Sequence, residues 1–295
     1  MKMLVSSRGI ARSCDIYPES IISDDFNFDP RPYRNIKFRD AIYVVTSQLH
    51  GFVNTILPNL ISPFVLVTGA SVLGAPQEVC EQTQIDMHKL LSDDRLIHWF
   101  CQNNDWQHDK VSAIPLGLDF HTLATANHWW GPQQSPLRQN QQLHRIHKQI
   151  PAPENRPPIA YATFHFMPDI RLENDRNNAI AALQDKSFVH FAPHHQPRED
   201  LWFAHQNFRY IVSPLGQGID CHRTWEALAL GSIPIVRRKP INTMFRSLPV
   251  IEVDSWQELN PEFLHAQWLL NKNKRDRSPL YLSYWMKTIR EAQKA

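Results

Sequence analysis

Residues 210–236, YIVSPLGQGIDCHRTWEALALGSIPIV, decide the reading of this chain because three signals in them agree. An apolar run, Tyr210 to Val212, ends in a Ser-Pro-Leu-Gly-Gln-Gly loop. Asp220 stands where a helix cap belongs, before a run of good helix formers at 223–230. Gly231 can end that helix, and a second apolar run at 232–236 follows at once. The pattern is a strand, Gly-rich loop, helix and strand, a unit that presents a helix N-terminus to a phosphate. Arg223 can neutralise phosphate charge. Glu226, three residues on and nearly on the same helix face, can accept hydrogen bonds from the two hydroxyls of a ribose. The competing reading is an ordinary i,i+3 surface pair worth a few tenths of a kcal/mol. The flanking glycines and the Gly-x-Ile-Pro-Ile-Val tail weigh against it.

The same residues resemble the donor-binding signature of the exostosin-like glycosyltransferases. Ser213-Pro214, Gly216 and Gly218, Arg223, Glu226-Ala227-Leu228 and Gly231-Ser232-Ile233-Pro234-Ile235-Val236 follow in that family's order. LIHWFCQN at 96–103, AIPLGLDF at 113–120 and LSYW at 282–285 resemble bacterial and viral members in similar order. The resemblance implies a GT-B-like α/β fold whose final helix crosses back to the first domain. It also implies an acidic residue after the strand FVLVTG, yet residues 70–74 contain none.

The rest of the chain is compatible with two Rossmann-like domains facing a cleft. Apolar runs at 41–47, 64–69, 96–103 and 111–118 suit parallel strands buried on both faces, with a helix expected over 77–91. Residues 127–156 lose periodicity among prolines and read as an interdomain linker carrying at most a short helix. A second series begins at 157–166 and continues at 187–193, the signature unit and 249–254, with helices near 176–183 and 256–270. The expected organisation is an acceptor domain over 1–150, a donor domain over 151–278 and a basic amphipathic helix over 279–295 packing on the first domain.

Composition narrows the function. The 295 residues are 42% hydrophobic and 20% charged with a net charge of +2, which asks for no nucleic-acid partner. No apolar stretch reaches membrane-spanning length, and the first fifteen residues have too short an apolar core for a secretory signal. Four scattered cysteines without C-x-x-C spacing suit free thiols in a reducing cytoplasm, with at most a peripheral membrane association. The third small residue of a dinucleotide fingerprint is replaced by Cys221, and Ala75 stands where a P-loop lysine would be.

The expected activity is inverting transfer of a sugar from a nucleotide donor, UDP-linked for preference, to a hydroxyl of a glycan acceptor. Gly216, Gly218 and Arg223 are expected at the diphosphate, Glu226 at the ribose, Asp220 and His222 near the sugar or phosphate, and Ser213 elsewhere in the donor site. Arg176, Arg171 and Arg198 are further candidates for neutralising charge. No Asp-x-Asp is present, so no metal or other cofactor is expected. Glu173-Asn174-Asp175 is the nearest approach to one. The base that takes the acceptor proton should come from the first domain, at the carboxyl end of a strand. Asp119 and then His50 are the candidates, ahead of Asp105, with His121 close to Asp119. Trp129 and Trp130 offer faces for a sugar or for packing. Two alternatives stay open. A hydrolase or epimerase on the same scaffold would consume donor without acceptor. A non-catalytic glycan- or nucleic-acid-binding protein would use the tryptophans and residues 271–295, with seven Lys/Arg against two acids, and would show steep salt dependence.

Overall fold

Two parallel sheets organise the chain. In the computed structural model, residues 1–164, 172–193 and 196–294 are described. The first sheet holds β1 (Ala41–Val45), β2 (Phe64–Gly69), β3 (Leu96–Cys101) and β4 (Val111–Ala113) side by side in chain order. Val44 pairs with Thr68, and Thr68 in turn with Cys101. Every residue of β1 and β2 is buried, as their unbroken apolar sequences require of strands covered on both faces. Three helices belong to the connections of this sheet, and α1 (Ser7–Ala11) precedes it. These are α2 (Leu49–Thr55), α3 (Gln77–Thr83) and α4 (Met87–Leu91). The single helix expected over 77–91 is thus two. Gln84 takes the left-handed conformation (φ 57°), and the Asp86 carboxylate accepts from Lys89 N to start the second helix.

The second sheet runs in the order β6-β5-β7-β8-β9, all parallel. Its strands are β5 (Ala160–Ala162), β6 (Val189–Phe191), β7 (Tyr210–Val212), β8 (Ile233–Arg237) and β9 (Ile251–Val253). From β5 the chain moves outward to β6 and then returns to the other side at β7. A crevice therefore opens at the carboxyl ends of β5 and β7, the point where ligands bind in open α/β sheets. The signature unit sits there. β7 feeds the Gly-rich loop, α9 (His222–Ala229) follows, and Gly231 at φ 82° turns the chain into β8.

Between the sheets, α5 (His121–Thr125) is followed by a correction to the linker reading. α6 (Pro136–Gln149) is fourteen residues long, capped by Ser135 and packed against both halves. Its buried positions are Gln139, Asn140, Leu143 and Ile146, spaced for one helix face. Two of the four are amides, which hid the period. Gln139 donates to Phe120 O and Gln134 O, and Asn140 accepts from Leu4 N, so both are satisfied inside. The remaining helices are α7 (Asp175–Leu183), α8 (Arg198–Ala204), α10 (Pro261–Asn271) and α11 (Leu282–Ala292). α8 was not anticipated from sequence. α11 crosses back to the first half. Leu282 N donates to Met3 O, Arg290 pairs with Asp15 at 2.6 Å, and Trp285 and Ile289 join Leu4 and Ile10 in one core. That core also takes in Trp225 and Leu228 of α9, so apolar packing ties the two halves together.

Candidate active site in the interdomain cleft

A cavity of about 550 Å³ lies between the carboxyl ends of the two sheets. One wall is the signature unit. Its loop is pinned by Ser213 N to Ile235 O, Leu215 N to the Asp175 carboxylate and Gly216 N to Gly218 O. The two glycines are required by space rather than by backbone angle, since neither has a positive φ. A Cβ on Gly218 would stand 2.8 Å from Asn103 Nδ2, and one on Gly216 3.1 Å from Cys221 Sγ and 3.2 Å from an Arg176 nitrogen. Asn103 follows β3 of the opposite domain, so Gly218 lies close against that domain.

Arg223 and Arg176 both line the cavity beside this loop. Arg223 reaches Ser213 Oγ and Pro214 O only at 3.5 Å and lies over the Phe164 ring at 5.5 Å. Burial foremost, with repulsion from Arg176 added, pushes its pKa down to about 10. Arg176 Nε is buried and has no hydrogen-bond partner among the described residues. Glu226, on the same wall, lies 3.8 Å from Arg198 and also attracts Arg223. Two half-buried cations thus repel one another at the cavity, and an anion there would relieve that repulsion.

Arg198 joins the walls. It is buried, donates to Asp119 O at 2.7 Å and to Gln139 Oε1 at 3.0 Å, and lies 4.4 Å over the Trp130 ring. Trp129, half exposed, packs edge-on against Trp130, and both line the cavity.

Four expected site residues are placed differently from the sequence reading. Asp220 lines the cavity but does not cap α9, whose N-cap is Cys221 with no side-chain cap. Its carboxylate instead accepts from Trp225 Nε1 (2.8 Å), Cys221 N (2.8 Å) and, across the domain boundary, Leu116 N (2.8 Å). Burial pushes its pKa up to about 6 against those donors. Ser213 turns its hydroxyl inward to Thr224 Oγ1 at 2.8 Å and does not line the cavity. Asp119 is buried behind the cavity wall. Burial raises its pKa, but His222, His121, Arg198 and the Thr122 N–H outweigh that and hold it at about 2. His50 is exposed on α2, donates from Nδ1 to Thr83 O at 3.1 Å and accepts from Asn54, away from the cavity. Asp105 likewise serves the start of α3, accepting from Gln77 N and Glu78 N. Arg171 lies outside the described residues, as does the side chain of Glu173.

The wall opposite Arg223 is built from segments far apart in sequence. His121 and Ser71 line it, as does Asp24. Asp24 Oδ1 accepts from Ser71 Oγ at 2.7 Å and Val72 N at 2.8 Å, while Asp24 N donates to Ala70 O. Both Asp24 and Ala70 hold φ at 56°, a conformation that non-glycine residues seldom adopt outside special sites. A carboxylate thus does reach the segment after β2, from a residue 47 positions earlier than Ser71. Nothing local in the sequence marks it. Three hydrogen bonds then clasp the walls together: Leu116 N to Asp220, Asp220 N to Asn103 Oδ1 at 2.9 Å, and His222 Nδ1 to Gly117 O at 2.6 Å. Among the described residues no three His, Cys, Asp or Glu side chains converge on one point.

No protein-family model matches the chain, and no curated protein matches it. The exostosin-like resemblance therefore rests on the residues quoted above. Among solved structures the chain is similar to an α1,3-fucosyltransferase at 13% identity, covering 86% of this chain and 90% of that one, with a TM-score of 0.35. An α1,3-fucosyltransferase with GDP-fucose matches at 11% identity over 97% and 96%, with a TM-score of 0.40. The α,α-trehalose 6-phosphate synthase of Burkholderia multivorans matches at 10% identity over 91% and 77%, with a TM-score of 0.41. At such scores the likeness carries no argument of its own. The two-domain Rossmann-like architecture stands on the strand order, the parallel pairing and the returning α11.

Proposed function

We propose that the protein is a glycosyltransferase that moves a sugar from a nucleotide donor to a hydroxyl of a glycan acceptor, with inversion at the anomeric carbon. The observation that carries this reading is the pair of mutually repelling, half-buried arginines, Arg223 and Arg176, beside Gly216 and Gly218 at the strand-order reversal of the second sheet. A diphosphate there would gain charge-assisted hydrogen bonds, and negative charge grows on it as the sugar leaves. Glu226, the other polar residue of the helix face, is assigned to the donor ribose. UDP is the preferred nucleotide, and the diphosphate is neutralised by arginine rather than by a metal.

Transfer requires the acceptor on the opposite wall, with Ser71 and Asp24 as hydrogen-bonding groups and Trp129 at the mouth as a stacking face. The acceptor oxygen forms its bond to the anomeric carbon as the bond from that carbon to the diphosphate breaks. The electron pair stays with the diphosphate, and the proton goes to a base of the first domain. The setting we favour is cytoplasmic glycan assembly, and no described helix is long and apolar enough to cross a membrane.

The test is a thermal-shift and calorimetric screen of UDP, GDP and CMP with their sugars, followed by nucleotide release with methyl glycosides as acceptors. A ligand at one hundred times its dissociation constant adds about 2.7 kcal/mol of stability. Failure of every nucleotide to bind the wild-type protein would overturn the reading. Release without any dependence on acceptor would move it to donor hydrolysis.

A further inference from the structure

We propose that His121, held by Asp119, is the general base that takes the acceptor proton. This rests on the transfer reading above and assigns the step that reading leaves open. His121 is the first residue of α5 and lines the first-domain wall of the cavity, with its side chain one-third exposed. Its Nδ1 lies 3.1 Å from Asp119 Oδ1. Asp119 is itself fixed, accepting from Thr122 N at 2.9 Å and Thr122 Oγ1 at 2.8 Å. A carboxylate on Nδ1 selects the tautomer in which Nδ1 carries the proton and Nε2 holds a lone pair. The ring is thereby supplied with a base at one end and an anchored counter-charge at the other.

The surroundings favour a ring that is neutral before reaction and charged only in passing. Burial foremost lowers the His121 pKa to about 4; Asp119 raises it, while Arg8 from α1, His222 at the start of α9 and Arg198 from α8 lower it further. In the step itself the acceptor O–H proton moves to Nε2, the oxygen bonds to the anomeric carbon, and the diphosphate leaves with the electron pair. The imidazolium is stabilised by Asp119 and gives its proton to solvent once product departs. Asp119 is in this scheme a positioning residue. It explains why the aspartate singled out in the sequence is conspicuous chemically and yet absent from the cavity wall.

Two neighbours could compete. His222 spends Nδ1 on Gly117 O and stands on the donor side, its ring centre 6.0 Å from that of His121. Asp24 spends one oxygen on Ser71 and Val72. The experiment compares His121→Gln, His121→Ala, Asp119→Asn, His222→Gln and Asp24→Asn with the wild type. Binding of UDP and GDP is measured by calorimetry, and release of UDP or GDP from UDP-glucose and GDP-fucose is measured with methyl glycosides. His121→Gln should keep nucleotide affinity within about twofold while turnover falls by about a hundredfold or more, the scale of a lost general base. Added imidazole should restore part of the turnover of His121→Ala and of no other variant. Asp119→Asn should lower kcat with the acceptor KM nearly unchanged. Turnover of His121→Gln near the wild-type value, with collapse in Asp24→Asn or His222→Gln instead, would overturn the assignment and leave the transfer reading intact. A wild-type protein that binds none of UDP, GDP and CMP, and releases none from their sugars, would remove both.

Discussion

The two walls of the cleft are made differently. The proposed donor wall comes mostly from one contiguous stretch, β7, the Gly-rich loop and α9, with Arg176 added from α7, and its polar groups are chiefly arginine and backbone. The opposite wall gathers Asp24, Ser71 and His121 from three separate segments, and its polar groups are hydroxyl, carboxylate and imidazole. The difference follows from the chemistry each would serve. A diphosphate is recognised by fixed positive charge and closely approaching N–H groups, which one short motif can supply. Binding and deprotonating a neutral hydroxyl needs acceptors and a base at set angles, and several strand ends must contribute.

The largest expected effect tests the donor wall. Arg223→Ala should lower turnover by about a hundredfold to a thousandfold, the scale of removing a preorganised group that stabilises developing charge. Arg176→Ala should act in the same direction. Wild-type donor kinetics in both would erase the contrast between the walls. Asp24→Asn probes the other side and should raise acceptor KM about tenfold, equivalent to about 1.4 kcal/mol, with donor affinity unchanged. A shift in donor affinity instead would show that Asp24 does not belong to the acceptor wall.

The clasp between the walls gives a stability measurement. Gly218→Ala drives a Cβ to 2.8 Å from Asn103 Nδ2, and should cost about 1–3 kcal/mol in urea denaturation. An unchanged midpoint would mean the loop and Asn103 separate freely. Stability should also rise with pH between about 4 and 6.5, because His121, His147 and His205 have their pKa values lowered from 6.5 to about 4, 4 and 3 and must shed protons on folding. Asp220 opposes this. Its folded pKa of about 6 lies above the ordinary 3.8, so its contribution is lost as pH rises through that interval. Asp220→Asn should therefore steepen the rise, whatever its effect on absolute stability. A flatter profile would contradict the burial assigned to that carboxylate. The smallest expected effect is that of EDTA, which should leave sugar transfer unchanged; loss of activity restored by Mn²⁺ would place a cation on the donor wall.

How much of this was legible follows the same division. The bounds of β2 and β7 are those of their apolar runs, because a strand buried on both faces must be written as an uninterrupted apolar segment. Arg223, Glu226, Gly216 and Gly218 stand together because one strand–loop–helix unit keeps its parts adjacent in sequence. α6 escaped notice because buried amides occupy half of its inward positions, and hydrophobic periodicity cannot register a glutamine satisfied by Phe120 O. Asp220 looked like a cap from its position before a helix, but a buried carboxylate goes where donors are, and Leu116 N and Trp225 Nε1 were brought to it only by folding. Strand-end position points to Asp119 and His50, but it fixes a neighbourhood and not the direction of a side chain. The sequence alone determined two parallel α/β layers, their approximate strands and the Gly-rich loop that lines the cleft, since these depend on local pattern. Only the tertiary structure decided that His121 rather than Asp119 lines the cavity, and that Asp24 supplies the carboxylate after β2. Those outcomes depend on contacts between residues tens of positions apart, and no local periodicity encodes them.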